Sequence, residues 1–312
     1  MKKYLPALAV ISAAILWSFD GVLRQNLYAL PSFLIVALEH LIGAIIFFPL
    51  LLKGWKEVSA LQQRGWISVL WISVCGGILG TFFYTKALSY VNYIDLSVVV
   101  LLQKFQPIFA IALAAIVLKE KITIRFLVLA VAAIVGGYFV TFGNQPLNEW
   151  SDKTMIAALL SLLAAFSWGS STVLGKHALN RLSFETVTSL RLTVTGAIML
   201  FILISTGQAE TISQVNIENW KYIFIIVLST GSLALFIYYY GLNHLPASHV
   251  TLYELFWPLS AVTMDWYLYG RVMSLVQWLG AALLLSAILL LSYKNKIESN
   301  QYVSTIAYVN QL

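Results

Sequence analysis

The sequence predicts an all-α integral membrane protein of ten transmembrane helices, folded as two inverted five-helix repeats. Three observations predict it. Of the 312 residues, 60% are hydrophobic and only 10% charged, whereas a soluble domain carries about a quarter charged residues. Apolar stretches of roughly 20 residues, the length that spans a bilayer core about 30 Å thick, recur along nearly the whole chain. Landmark residues also recur at a fixed interval: Trp17 and Trp168 are 151 residues apart, and so are Pro107 and Pro258, the two prolines that fall mid-span.

Polar and Gly/Pro punctuation places the helices near 4–23, 33–52, 66–88, 94–118, 125–143, 154–174, 184–206, 220–242, 247–269 and 273–293. The first follows Met1-Lys2-Lys3 and superficially resembles a secretory leader. Its Ala7-Leu8-Ala9 triplet comes before any apolar core, so the segment reads as a retained helix. The seventh begins with Glu185, Thr186, Thr188 and Arg191 and is plainly apolar only from Leu192 onward. The repeats are expected at 1–143 and 154–296, joined by a loop at 144–153, with a polar, disordered tail at 297–312.

Charge sets the orientation. With the N terminus inside, Lys2, Lys3, Lys53, Lys56, Arg64, Lys119, Lys121, Arg125, Lys176, Arg181, Lys294 and Lys296 fall on the inner side. Arg24, Lys153, Lys221 and Arg271 fall outside, and Lys86, Lys104 and Arg191 lie within spans. Lys and Arg concentrate on the cytoplasmic side of membrane proteins, so both termini are expected in the cytoplasm, in a multi-pass protein of the cell inner (plasma) membrane. The net charge of +6 comes from these short clusters and not from one basic face, so no nucleic-acid partner is expected. The single cysteine, Cys75, lies in an apolar run and reads as a small packing residue.

The repeat extends beyond its landmarks. Trp17-Ser18-Phe19-Asp20-Gly21-Val22-Leu23 aligns with Trp168-Gly169-Ser170-Ser171-Thr172-Val173-Leu174, and Ser32-Phe33 with Ser183-Phe184. Ala87-Leu88-Ser89-Tyr90 matches Gly241-Leu242-Asn243-His244 with the offset slipping to 154. An odd number of helices per repeat inverts the second copy, an architecture that places a substrate site near the midplane at the repeat interface.

Five helices per repeat, a Trp near the end of the first, a proline in the fourth and Leu118-Lys119-Glu120 closing it together resemble the EamA domain of the drug/metabolite transporter superfamily. The resemblance covers about residues 4–293. It implies export or exchange of amino acids and other small metabolites, with helices one to four of each repeat around a central cavity. Two departures stand out: Tyr269-Gly270-Arg271 carries a base where the family has an acid, and His40 stands where the second repeat has Arg191.

Ionisable groups within spans cost several kcal/mol unless paired or wetted, so they are functional candidates. The deepest lie in Gln103-Lys104-Phe105-Gln106-Pro107 and Glu254-Leu255-Phe256-Trp257-Pro258. Each proline frees the carbonyl four residues back, that of Gln103 or Glu254, and kinks its helix. The substrate-binding candidates are Trp17, Asp20, Glu39, Gln103, Lys104, Trp168, Tyr253, Glu254 and Trp257, with Pro107 and Pro258 as helix kinks. Asp20 is alternatively the local partner of Arg24 one helical turn on. Arg24, Asp95, Glu185 and Arg271 sit near span ends, where snorkelling suffices. Gly76 and Gly80 form a small-residue pair that lets helices approach closely.

The four histidines are scattered without ligand spacing, so no metal is expected, and neither is a cofactor. No Gly-x-Ser-x-Gly or His-Glu-x-x-His occurs, which argues against an enzyme and leaves no catalytic residues. The expected partners are a small-molecule substrate and the lipid bilayer, in a monomer or weak dimer, with the proton as one candidate coupling ion. Lys104 together with Glu254, Asp20 and Glu39 suits a zwitterion such as an amino acid; an excess of acids equally suits an organic cation.

Overall fold

The computed structural model describes residues 4–90, 96–118, 123–143, 151–245, 250, 253–254, 256–270, 272–287 and 289–290. Among them every regular element is helical. The main helices are α1 (Leu5–Gln25), α2 (Ser32–Lys53), α3 (Gln63–Leu88), α4 (Leu96–Leu102, a 3-10 turn Gln103–Phe105, then Gln106–Leu118), α5 (Ile124–Phe142), α6 (Asp152–Leu179), α7 (Phe184–Ser205), α8 (Ile217–His244), α9 (Phe256–Tyr269) and α10 (Leu275–Ala287). Among the described residues, α1, α2, α3, α6, α7 and α8 are long and apolar enough to cross a membrane, and α10 and the stretch Leu127–Val140 of α5 are shorter apolar helices. The protein is thus an all-helical, membrane-spanning chain.

Local chemistry sets the ends. Pro6 occupies the first turn of α1, where a missing N–H costs nothing. Ser151 and Ser183 cap α6 and α7 by accepting the backbone N–H groups of Thr154 and Thr186. Asn216 and Asn219 form a reciprocal capping box at the start of α8. The polar first half of α7 is accommodated because its hydroxyls turn back on their own helix: Thr188 donates to the Phe184 carbonyl and Ser189 to that of Glu185.

The two prolines leave matching marks. The carbonyl of Gln103 accepts the N–H of Gln106, and the carbonyl of Glu254 accepts that of Trp257. Each carbonyl freed by proline is therefore taken up by a tightened turn of the backbone and is not left for a ligand. α3 and α8 are also irregular. α3 widens into a π-helical stretch over Ile72–Leu79. In α8 the N–H groups of Gly231 and Ala234 reach five residues back, to Ile226 and Ser229, across the break at 229–231. Such wide turns are frequent at functional sites.

Packing is reciprocal. α1 lies on α8 and α9, α6 lies on α3 and α4, and α2 lies against α7. α5 meets α10 almost backbone to backbone: a Cβ on Gly136 would fall 2.8 Å from the Gly280 carbonyl, and Gln277 Nε2 donates to the Val140 carbonyl at 3.2 Å. Large apolar side chains such as Ile45, Val131, Phe201, Leu228 and Leu279 point outward and are exposed. An outer face so apolar suits lipid and not water.

Candidate functional site

The break in α8, the part of α3 just after its widened stretch, the tightened turns at Gln106 and Glu254, and facing residues of α1, α2, α6 and α7 line a cavity of about 120 Å³. Its wall has three parts.

The first is aromatic. Trp257 stands between Trp17 and Trp168, with ring centroids 6.0 and 5.8 Å away, and Tyr84 meets it edge-on at 6.1 Å. Tyr238 closes on Trp17 at 5.1 Å and Tyr84 on Trp168 at 5.5 Å. The indole of Trp168 is fixed by donating Nε1–H to the Gly76 carbonyl at 3.1 Å, inside the π-helical stretch. Gly80 must be glycine here, because a Cβ would overlap that same indole.

The second part is a buried ion network. Arg24 donates Nε–H to Asp20 Oδ2 at 2.5 Å, Nη2–H to Glu39 Oε2 at 2.6 Å and Nη1–H to Thr85 Oγ1 at 3.0 Å. Thr230, at the break in α8, donates its hydroxyl to Asp20 Oδ1 at 2.5 Å. All three charged side chains are almost wholly buried, and the planar guanidinium joins α1, α2 and α3 while Thr230 adds α8. The helical turn that brings Asp20 and Arg24 onto one face makes them partners, and the nearness of Glu39 removes any need for Arg24 to snorkel.

The third part is polar and centred on Glu254. Tyr238 donates its hydroxyl to Oε1 at 2.9 Å, and Gln106 donates Nε2–H to Oε2 at 3.3 Å and to Thr172 Oγ1 at 3.2 Å. Opposite in character, Arg191 lies buried with Nη1–H donated to the Tyr239 hydroxyl at 3.0 Å. His40 points Nδ1 at the Val36 carbonyl, 2.9 Å away.

Of the sequence candidates, Trp17, Asp20, Glu39, Trp168, Glu254 and Trp257 line this cavity. Gln103 is fully buried but is not part of the wall, and Tyr253 is half-buried against the apolar cluster of Leu242 and Val250. Pro107 is buried and is not part of the wall. The side chains of Lys104 and Pro258 lie outside the described residues, and so do Asp95 and Arg271 entirely. Sequence reasoning passed over Arg24, His40, Tyr84, Gln106, Arg191, Thr230 and Tyr238 as site residues. Arg24 had a legible signal in its spacing from Asp20. Tyr238 had none that set it apart from Tyr239 and Tyr240.

Comparison with known proteins adds a lineage to this geometry. The EamA-like transporter family matches twice, over residues 5–142 and 155–293. The riboflavin transporter ImpX of Fusobacterium nucleatum subsp. nucleatum is 40% identical over 93% of this chain and 98% of its own. The uncharacterized transporter YoaV of Bacillus subtilis is 26% identical over 89% and 93%. A riboflavin transporter of Brucella anthropi is 23% identical over 84% and 88%. One solved crystal structure superposes with a TM-score of 0.60 over 91% of this chain and 94% of that one at 17% identity, a likeness of fold.

Proposed function

The chain belongs to the EamA-like transporter family, and on that premise we propose that it carries a planar heteroaromatic metabolite of the riboflavin class by alternating access around the cavity. It is a small-molecule membrane transporter and not an enzyme. The observation that carries the substrate reading is the set of five aromatic rings, Trp17, Tyr84, Trp168, Tyr238 and Trp257, gathered on one cavity. Their faces suit stacking on a flat solute, each aromatic contact contributing about 0.5–1.5 kcal/mol beyond area burial. Two relatives that bear the name riboflavin transporter support the same class.

The amino-acid expectation rested on the family resemblance and on a cation, Lys104, beside Glu254, Asp20 and Glu39, and the side chain of Lys104 lies outside the described residues. Beside its charged and polar groups the described wall offers more aromatic surface than an amino acid needs. At about 120 Å³ the cavity is small beside the roughly 300–1,000 Å³ of ordinary ligand pockets. We read this as an occluded form that must open to admit a tricyclic ring.

Alternating access is supported by the reciprocal packing of α1 on α8 and α9 and of α6 on α3 and α4, the paired wide turns, and the twofold family match, which divides the chain close to 1–143 and 154–296. The Lys/Arg asymmetry supports cytoplasmic termini and an inner-membrane location. Asp20 and Glu39 share one guanidinium, so the network has a surplus carboxylate that a proton can neutralise, which makes the proton our preferred coupling ion.

The test is growth. A bacterial host that neither makes nor imports riboflavin should grow on low riboflavin when this chain is expressed in its membrane. Failure to grow, with the protein correctly inserted, would remove the flavin reading, and uptake of a labelled amino acid by the same cells would restore the earlier one.

A further inference from the structure

The two buried guanidinium groups of the cavity are in opposite states. Arg24 has all three of its nitrogens donating, two of them to carboxylates. Arg191 is nearly as buried, but its Nε–H has no acceptor, and among the described residues no carboxylate comes within ion-pair distance of it. Among the described residues the guanidinium's polar contacts are the Tyr239 hydroxyl and the face of the same ring, 5.8 Å from the centroid. A buried cation so poorly satisfied is costly unless something else in the cavity completes it.

Beside it stand other unsatisfied groups. The hydroxyls of Ser171 and Ser232, both buried in the wall, have no hydrogen-bond partner among the described residues. Ser171 Oγ and Arg191 Nη2 converge on the same bare point of the π-helical stretch: a Cβ on Gly76 would lie 2.8 Å from Nη2 and overlap Oγ. Glycine there lets both groups sit against the backbone of α3, and both residues belong to the cavity wall.

We propose that Arg191 and Ser171 form a hydrogen-bond-donating subsite for the carbonyl-bearing edge of an uncharged, planar aromatic solute. This rests on the flavin reading above and deepens it by assigning one end of the ring. Donors crowded at this point need an acceptor. A carboxylate or phosphate on the solute fits poorly, because the described wall carries three carboxylates, Asp20, Glu39 and Glu254, against two guanidinium groups. A neutral ring with adjacent carbonyl oxygens, as in the pyrimidinedione edge of a flavin, supplies acceptors without added charge. Its hydroxyl-bearing substituent then has acceptors at Glu254.

The experiment titrates purified protein with two fluorescent probes: riboflavin, and acridine, a tricycle without carbonyl groups. Arg191→Gln should weaken riboflavin at least about tenfold and leave acridine within about twofold, and Arg191→Lys should recover part of the loss. Equal weakening of both probes would show a merely structural arginine and overturn the subsite; so would unchanged riboflavin affinity. If Arg191→Gln does not fold, Ser171→Ala is read by the same ratio, with about a threefold loss expected for riboflavin alone and no change in that ratio counting against the subsite. Wild-type protein that binds acridine and not riboflavin would remove the flavin reading itself, and this assignment with it.

Discussion

Replacing Arg24 by Gln removes the cation that joins two carboxylates inside the membrane. Asp20 and Glu39 are 4% and 6% exposed, and losing one partner of a buried pair costs about 3–5 kcal/mol because the other charge is stranded. Thr230 still donates to Asp20, which keeps the cost near the lower end. At about 2 °C per kcal/mol, the low end for chains of more than 150 residues, the melting temperature in detergent should fall by about 6 °C. Neutralising the acids as well, in Asp20→Asn/Arg24→Gln/Glu39→Gln, should recover most of that loss, since the penalty is one of uncompensated charge. Scanning fluorimetry of wild type, single and triple variants supplies the comparison. A single variant that melts within 1 °C of wild type, or a triple variant less stable than the single, would refute the reading of the network as a dry one held by its shared cation.

Other consequences are as specific. Glu254→Gln keeps the shape of its contacts with Tyr238 and Gln106 but forfeits charge-assisted bonding worth about 1.5–3 kcal/mol; the variant should insert and fold while riboflavin uptake drops at least about tenfold, and wild-type uptake would make Glu254 a structural group. Gly80→Ala displaces the Trp168 indole and should reduce quenching of protein fluorescence by riboflavin, whereas Trp55→Phe, far from the cavity in the segment after α2, should not. Glu57 accepts from both the N–H and the hydroxyl of Ser183 at the start of α7, so Glu57→Ala should lower the melting temperature by about 2 °C, near 1 kcal/mol for a weakened cap. Reporters fused at Gln145 and Lys294 should label opposite sides of the membrane, and same-side labelling would remove the five-plus-five arrangement.

Much of this was legible in the residues themselves. Composition and apolar run length are read by the bilayer directly, so the helices near α1, α2 and α7 begin close to where punctuation places them. Trp17, Trp168, Glu254 and Trp257 stand out because a large ring or a charge deep in a span is rare, and all four line the cavity. Three features escaped for physical reasons. Arg24 sits near a span end, where depth predicts snorkelling, and only the fold brings Glu39 to it. The wide turns at Ile72–Leu79 and 229–231 depend on packing against α6, α7 and α1, which no local pattern records. Arg191 lies in the polar half of α7, and its lack of an ion partner among the described residues is visible only once its neighbours are in place.

The most direct test of a flavin-carrying cavity is counterflow. Proteoliposomes loaded with unlabelled riboflavin and diluted into labelled riboflavin should accumulate label transiently above the external level, with empty liposomes and the Glu254→Gln variant giving no overshoot. An absence of overshoot with riboflavin, together with overshoot for a labelled amino acid under the same conditions, would contradict the account.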